Sequence, residues 1–581
     1  MNTPPINRRA LRRAGAALAS LTSVALVAAC GAGATSAPGA AGSQSSSGAD
    51  STTSAWTEIS AETASASTGA SPATINSANA EVAADSTAAE DAGTYDASSA
   101  TTITLSGASA SVDGSGSSGA SGASVDGSTV TISASGTYAI SGELSDGEII
   151  VAAPDADVRL VLAGATITNA DGPAIDIQDA GTAVVTLASG TTNSLSDGAA
   201  YTDTSDGAAG AALFASDTLT ITGTGGLTVN GAYQDGIASK NGLVITGAPT
   251  IDVTAADDAI RGEDYLAINS GTITVSAGGD GLKSNEDNDI TKGFVRLGAA
   301  TITVTSADDG VAAATDVTVE GTTLQVTAGG GQANAVPEEE GRPGRQQSSG
   351  TDGTGSTGST DSTTSTTPSP KGINAGVSFT QDSGTVTIDA ADEGAQAAFV
   401  NVGGGALRIT SGDDGINASS GDHTISGYGE ADSESDDGSV LTISGGEVQV
   451  GNAGSDGLDS NGSAHVTGGT VLVSGSTGSM DGAVDANGKT TLVGASAPTA
   501  ITAGDTVTVT DSSGTATTAT AAFSASSFTV LGLTEGTAYT VSTTSGGSSS
   551  VTAAALTAGG GPGGSGGPGG PGGGRAPGAV R

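Results

Sequence analysis

Short runs in which every second residue is aliphatic recur along the chain, as in "GLVITG" then "PTIDVTAA", or "DYLAINSG" then "TITVSAGG". An alternation of period two predicts strands with one buried face, and the Gly, Asn and Asp that join the runs predict turns. No stretch between them carries apolar residues at helical spacing over a useful length, so strands joined by crossover helices are excluded. The runs are punctuated by an acid, then Gly or Ala, then an aliphatic residue. Asp235, Asp258, Asp280, Asp309, Glu393, Asp414, Asp456 and Asp481 each head such a triplet, and Lys371 stands once in the same place. The step is close to 22 residues once a loop of about 40 residues before Lys371 and the insert "YGEADSESDDG" are set aside.

A short unit of narrow strands that lead directly into the next unit predicts an all-β chain wound as a parallel β-helix, from about residue 101 to 495. Val, Ile and Leu would face a narrow interior, with Thr and Ser outside. A small β module is expected over residues 497–555, where it could cover the open end. Residues 31–100, 331–370 and 556–581 are Ala, Ser, Thr, Gly or Pro-rich without aliphatic periodicity. They are expected as a disordered tether, an inserted surface loop and a tail.

Residues 1–30 place Arg8, Arg9, Arg12 and Arg13 before an apolar stretch and end in "VAAC". This is the pattern of an export signal with a lipobox, which predicts lipidation at Cys30 and a membrane anchor on the extracellular face of a bacterial cell. Cys30 is the only cysteine, so it has no disulfide partner within the chain.

Composition narrows the partners. With 17 Lys and Arg against 61 Asp and Glu, the formal net charge is −44, which excludes the basic stripes that nucleic acid requires. Cations are the expected partners instead. In a parallel stack the triplet acids would sit about 4.8 Å apart, where two unit charges repel by about 3–4 kcal/mol at an effective dielectric near 20. Few basic residues are placed to neutralise such a line. Calcium (Ca2+), which takes six to eight oxygens in flexible geometry, is the natural counter-ion. The expected ligands are Asp235, the doubled acids Asp257 with Asp258, Asp308 with Asp309 and Asp413 with Asp414, then Asp280, Asp456 and, from "NEDND", Asp287 and Asp289. The competing reading is that Asp before Gly is turn chemistry, with the carboxylate bonding nearby backbone and Gly taking a positive φ.

The stretches "DGIASKNGLVITG", "DDAIRGEDYLAINSGTITVSAGGDGLKSNEDNDITKGFV" and "DGLDSNGSAHVTGGTVLVSG" resemble the bacterial carbohydrate-binding β-helix proteins described as cellulose- and pectin-binding. The resemblance covers residues 101–545 without the inserted loop. It implies a right-handed parallel β-helix, calcium held by turn aspartates, and a shape similar to calcium-dependent pectate lyases.

Lys240, Arg261 and Lys283 follow their triplet acids closely and are candidates to hold sugar carboxylates, with Tyr233 and Tyr265 as candidate stacking partners. Tyr428 is a further tyrosine able to stack, whereas Trp56, the only tryptophan, falls in the tether, which shifts the expectation from neutral glucans to acidic polysaccharides. Three readings stay open. The first is a monomeric, surface-anchored, non-catalytic binder of pectin-like polysaccharide, possible for cellulose as well. The second is a calcium-dependent lyase with Lys283 as base beside Arg261. The third is a passive stalk or adhesin.

Overall fold

The computed structural model describes residues 58–59, 86–114, 122–205, 207–335, 369–421, 423–428, 435–451, 454–475 and 482–556. Cys30, Trp56, Asp481 and most of the expected tether, loop and tail lie outside them. The described residues all belong to one compact unit, Ser54–Arg581.

The chain is all-β, dominated by parallel pairing in which a strand bonds to the equivalent strand of the next repeat rather than to its neighbour in sequence. Three ladders result. Ladder A joins Asp235–Ser239, Ile260–Gly262, Leu282–Ser284, Val311–Ala313, Ile373–Ala375, Ala395–Ala397, Ile416–Ala418 and Leu458–Ser460. Ladder B includes Leu219–Gly223, Gly242–Ile245, Asp316–Val319, Ser378–Gln381, Phe399–Val402, Val440–Ile443 and Ser463–Val466. Ladder C includes Gly226–Gly231, Thr250–Ala255, Thr323–Ala328, Thr385–Ala390, Ala406–Ser411, Glu447–Gly451 and Thr470–Val473. Tyr265–Ala277 and Phe294–Ser306 each run through both B and C. Val311 pairs with Ile373 and Ile416 with Leu458, so both insertions leave the register intact.

Register explains the alternation. Ile237, Ile260, Leu282, Val311, Ile373, Ala395, Ile416 and Leu458 stack in one line of ladder A, all fully buried. Each larger aliphatic removed from water contributes about 1.5–3 kcal/mol, and a slip of one residue would turn a whole strand's set outward.

The glycine after each triplet acid is not the positive-φ residue of the competing turn reading. Gly236, Gly281, Gly310, Gly372, Gly394, Gly415 and Gly457 are not among the positive-φ residues. They are glycines because there is no room. A Cβ on Gly415 would lie 2.1 Å from a Val450 methyl and 2.4 Å from the Gly457 carbonyl oxygen, and the other six meet the equivalent neighbours, a Val or Ile methyl and a backbone carbonyl of the next repeat. Gly415→Ala is therefore expected to cost about 1–3 kcal/mol, read as a lower thermal midpoint, while Ala259, which occupies the equivalent place in its own repeat, is already accommodated.

Both ends of the sheet are closed by antiparallel pairing, which blunts edges that would otherwise recruit other chains. At the start, Ala110–Asp113 folds back on Thr101–Gly107, and Ala123–Asp126 on Thr129–Ile132. At the finish, Phe528–Leu531 pairs antiparallel with Thr470–Val473 and Val493–Ala497. A four-stranded antiparallel sheet, in the order Ala516–Thr520, Thr506–Asp511, Ala538–Thr543, Gly547–Thr552, closes over it. Leu472 of the last repeat shares that module's core with Val507, Phe523, Phe528 and Val541.

Residues 86–100, expected as tether, are built onto the stack instead. They include the turn Ala88–Asp91, which is capped by Thr87 and Glu90.

Candidate carboxylate site

The triplet acids form a line beside ladder A, two residues before the stacked aliphatic of each repeat. Asp258, Asp280, Asp309 and Asp456 are buried, and each accepts through Oδ1 the backbone N–H of the following repeat: Asp280 at 2.9 Å, Asp309 at 2.9 Å, Lys371 at 2.8 Å and Gly482 at 2.6 Å respectively. Asp414, half-buried, does the same for Asp456 at 2.8 Å. One oxygen of each carboxylate thus clamps repeat to repeat. The position that meets Asp456 in the final repeat is Gly482.

The doubled acids divide their work. The second of each pair belongs to the line, whereas Asp257 and Asp308 are exposed and Asp413 is half-buried. Asp287 and Asp289 lie between Leu282–Ser284 and Phe294–Ser306. Asp289 is exposed and accepts from the Thr291 N–H and hydroxyl, which lowers its pKa, and Asp287 accepts from Asn288 at 2.8 Å.

The expectation that few cations neutralise the line is corrected for its first half. Arg261 and Lys283 occupy one register position in adjacent repeats. Arg261 bonds Asp235 at 2.7 and 2.9 Å. Lys283 bridges Asp258 at 3.1 Å and Asp280 at 3.0 Å. Lys371, itself in the line, reaches Glu393 at 2.7 Å and Asp392 at 3.2 Å, and Asn374 donates to the free oxygen of Asp309 at 2.7 Å. Built-in counter-ions therefore stand where a metal was expected. This also bears on Lys283 as a base: it lies between two carboxylates rather than among cations. Lys240 is exposed at the end of its strand.

The second half of the line differs. Asp456, Asp459 and Asp485 offer three carboxylate oxygens within 4.8 Å of one another, a spacing compatible with one ion at calcium–oxygen distances of about 2.3–2.6 Å. Among the described residues no ion pair reaches Asp414 or Asp459. Burial pushes Asp459 up to about 7, and the charges of Asp456 and Asp485 add to it. Burial also raises Asp414, followed by repulsion from Asp459 and Asp413. Asn417 sits above Asp459 in register, 3% exposed, and its side-chain oxygen has no hydrogen-bond partner. An orphaned buried oxygen beside crowded carboxylates is the donor set a hard cation uses. In the other compact group, Asp280, Asp308 and Asp309, Asp280 and Asp309 are already committed to Lys283, Asn374 and two backbone N–H groups.

Asp459, Asp485 and Asn417 were not among the sequence candidates. Their signal lies in the register: Asn374, Gln396, Asn417 and Asp459 fill one outward position of successive repeats, and the bridge between Leu458 and Val484 puts Asp485 in that line. The aromatic candidates are packed rather than presented. Tyr265 stacks on Phe294 at 5.5 Å and Tyr233 on Tyr201 at 4.2 Å. Tyr428 is 44% exposed.

A family model described as carbohydrate-binding domain-containing protein matches residues 126–415. A relative of the same description from Acetivibrio thermocellus is 40% identical over 90 residues, which are 15% of this chain and 32% of the relative, so the chain spans about a third of that protein's length. A solved structure, described as the polysaccharide lyase-like protein from C. thermocellum in a gadolinium derivative, is 31% identical, covers 40% of this chain and 92% of its own, and has a TM-score of 0.37. The matched span contains the ion-paired half of the acid line and stops before Asp456.

Proposed function

We propose that this protein is a carbohydrate-binding, right-handed parallel β-helix that takes up calcium at Asp456, Asp459 and Asp485, and that the metal bridges it to an acidic polysaccharide of the pectin or polygalacturonate class. The observation that carries the reading is the contrast within one line of acids, whose first half is ion-paired with Arg261, Lys283 and Lys371 and whose second half brings Asp456, Asp459 and Asp485 together, with the orphaned Asn417 oxygen one repeat away in register with Asp459. A chain of net charge −44 repels a polyuronate at long range. A divalent ion with coordination positions left over by the protein reverses that repulsion locally, because sugar carboxylates can complete its shell. Binding without catalysis suits a site built from carboxylate oxygens. The packed tyrosines argue for charge rather than ring stacking as the main contact, with cellulose as the weaker ligand. Lipidation at Cys30 would hold the monomer at the cell surface.

Retention on immobilised polygalacturonate with 1 mM calcium, and its loss in excess chelator, tests the reading. Asp459→Asn combined with Asp485→Asn is expected to weaken calcium binding by calorimetry at least tenfold and to weaken retention in parallel, with the far-ultraviolet circular dichroism unchanged. Retention that survives chelator would refute metal bridging. Unsaturated product absorbing in the ultraviolet, abolished by Lys283→Ala, would replace binding by lyase chemistry.

A further inference from the structure

The N-terminal segment meets the stack at two separated places on one face. Glu58–Ile59 adds a parallel strand to Thr424–Ile425, and Ile59 is fully buried among Val377, Ala398, Phe399 and Ile425. The second anchor is the turn Ala88–Asp91. Arg159 donates to Glu90 at 2.8 Å, Thr222 donates to Asp91 at 2.6 Å, and the Ser189 N–H donates to the Gly93 carbonyl at 2.9 Å. Thr222 lies in the ladder B strand Leu219–Gly223, while Val377 and Phe399 stand at the start of ladder B strands five and six repeats further on. At about 4.8 Å per repeat the anchors are about 24–29 Å apart.

Between the anchors the outer side of ladder B is covered. Thr220, Val244, Ala267, Thr318 and Thr380 share one register line and alternate with core residues, yet each is 1% exposed or less. Val244 and Ala267 contribute nothing to the central core, and the buried Thr380 hydroxyl has no hydrogen-bond partner, as under an apolar cover. Arg296, in the same line, is half-buried, with its guanidinium turned to Asn269 and Glu320. Past the Ile59 anchor the line opens: Asn401, Thr442 and His465 are half-buried and Thr491 is exposed.

We infer that this strip of ladder B is the docking surface for residues 60–85 of the same chain. Those residues connect the two anchors, and 26 of them could reach about 85 Å extended, roughly three times the gap. They are rich in Ala, include Ile75 and Val82, and carry charge only at Glu62, Glu81 and Asp85, a composition that suits a strip of Val, Ala and Thr. The covered face is then closed to polysaccharide.

Thiol accessibility tests this. In the full chain carrying Cys30→Ser, Ala267→Cys leaves a single thiol, and maleimide is expected to label it at least tenfold more slowly than Thr491→Cys. Replacing residues 60–85 by a Gly/Ser chain of equal length should raise the rate at 267 at least tenfold and leave 491 unchanged; Thr318→Cys serves if Ala267→Cys misfolds. Equal rates at the two positions in the intact segment, or a rate at 267 that ignores the replacement, overturns the inference. Fast labelling of the intact chain that only polygalacturonate slows would assign the face to the polysaccharide and overturn it as well.

Discussion

Lys371→Met is expected to lower stability by about 3–5 kcal/mol at pH 8, the cost of leaving a buried charge without its partner. Lys371 is 9% exposed, and its ammonium donates to Glu393, Asp392 and the Ser369 hydroxyl. Burial already pushes Glu393 up to about 8 against the pull of Lys371. Without the lysine the carboxyl can escape only by holding a proton, so the loss should shrink at pH 6. Lys371→Met with Glu393→Leu should recover most of the stability, because an apolar pair of similar size has no charge to solvate. Urea midpoints at the two pH values decide. A loss below about 1 kcal/mol, or a double variant no better than the single, would show that the line tolerates unpaired acids and would remove the reason to look for a metal further along.

The sequence carries the period because each repeat must place one aliphatic of every ladder on the same interior line, and Ile237 to Leu458 keep that position across both insertions. It also carries the acid line, since Asp before Gly recurs with the same step. What the spacing alone hides is how charge is balanced. Whether Arg261 and Lys283 face solvent or the acids depends on their register beside Asp235, Asp258 and Asp280, and that is a property of the stacked repeats rather than of any one of them. Asp459 and Asp485 are hidden for the same reason, since each reads as an isolated acid until Leu458 and Val484 are aligned. Gly415 and its equivalents read as turn residues, yet what excludes a side chain is Val450 and the Gly457 carbonyl, contributed by the next repeat. The docking of Ile59 has no periodic signal at all: it is one aliphatic residue in a polar segment, and its pocket is assembled from residues more than three hundred positions away.

In chelator the thermal midpoint is expected to fall as pH rises from 5 to 8, opposite to the usual behaviour of an acidic protein whose carboxylates are salt-bridged. Asp280 and Glu393 are pushed up to about 8 and Asp459 to about 7 by burial, and Asp414 is raised as well. In the unfolded chain these groups titrate near 4. Between those values the folded chain holds more protons than the unfolded one. Their stabilisation is therefore complete below about pH 4 and is lost as pH climbs through the folded pKa values. For Asp459 alone the span corresponds to at most about 4 kcal/mol. Calcium should change the slope, because an ion at Asp456, Asp459 and Asp485 replaces protons as the neutralising charge. At a hundredfold excess over its dissociation constant it would return about 2.7 kcal/mol, and it would do so at pH 8 far more than at pH 5, where protons compete for the same oxygens. The part of the decline owed to Asp280 and Glu393 should persist, since Lys283 and Lys371 already occupy their neighbourhood. Scanning calorimetry at pH 5 and 8, with chelator and with calcium, separates the two halves of the line. A midpoint that rises with pH in chelator, or a calcium shift of equal size at both pH values, would contradict the assignment of metal to the second half.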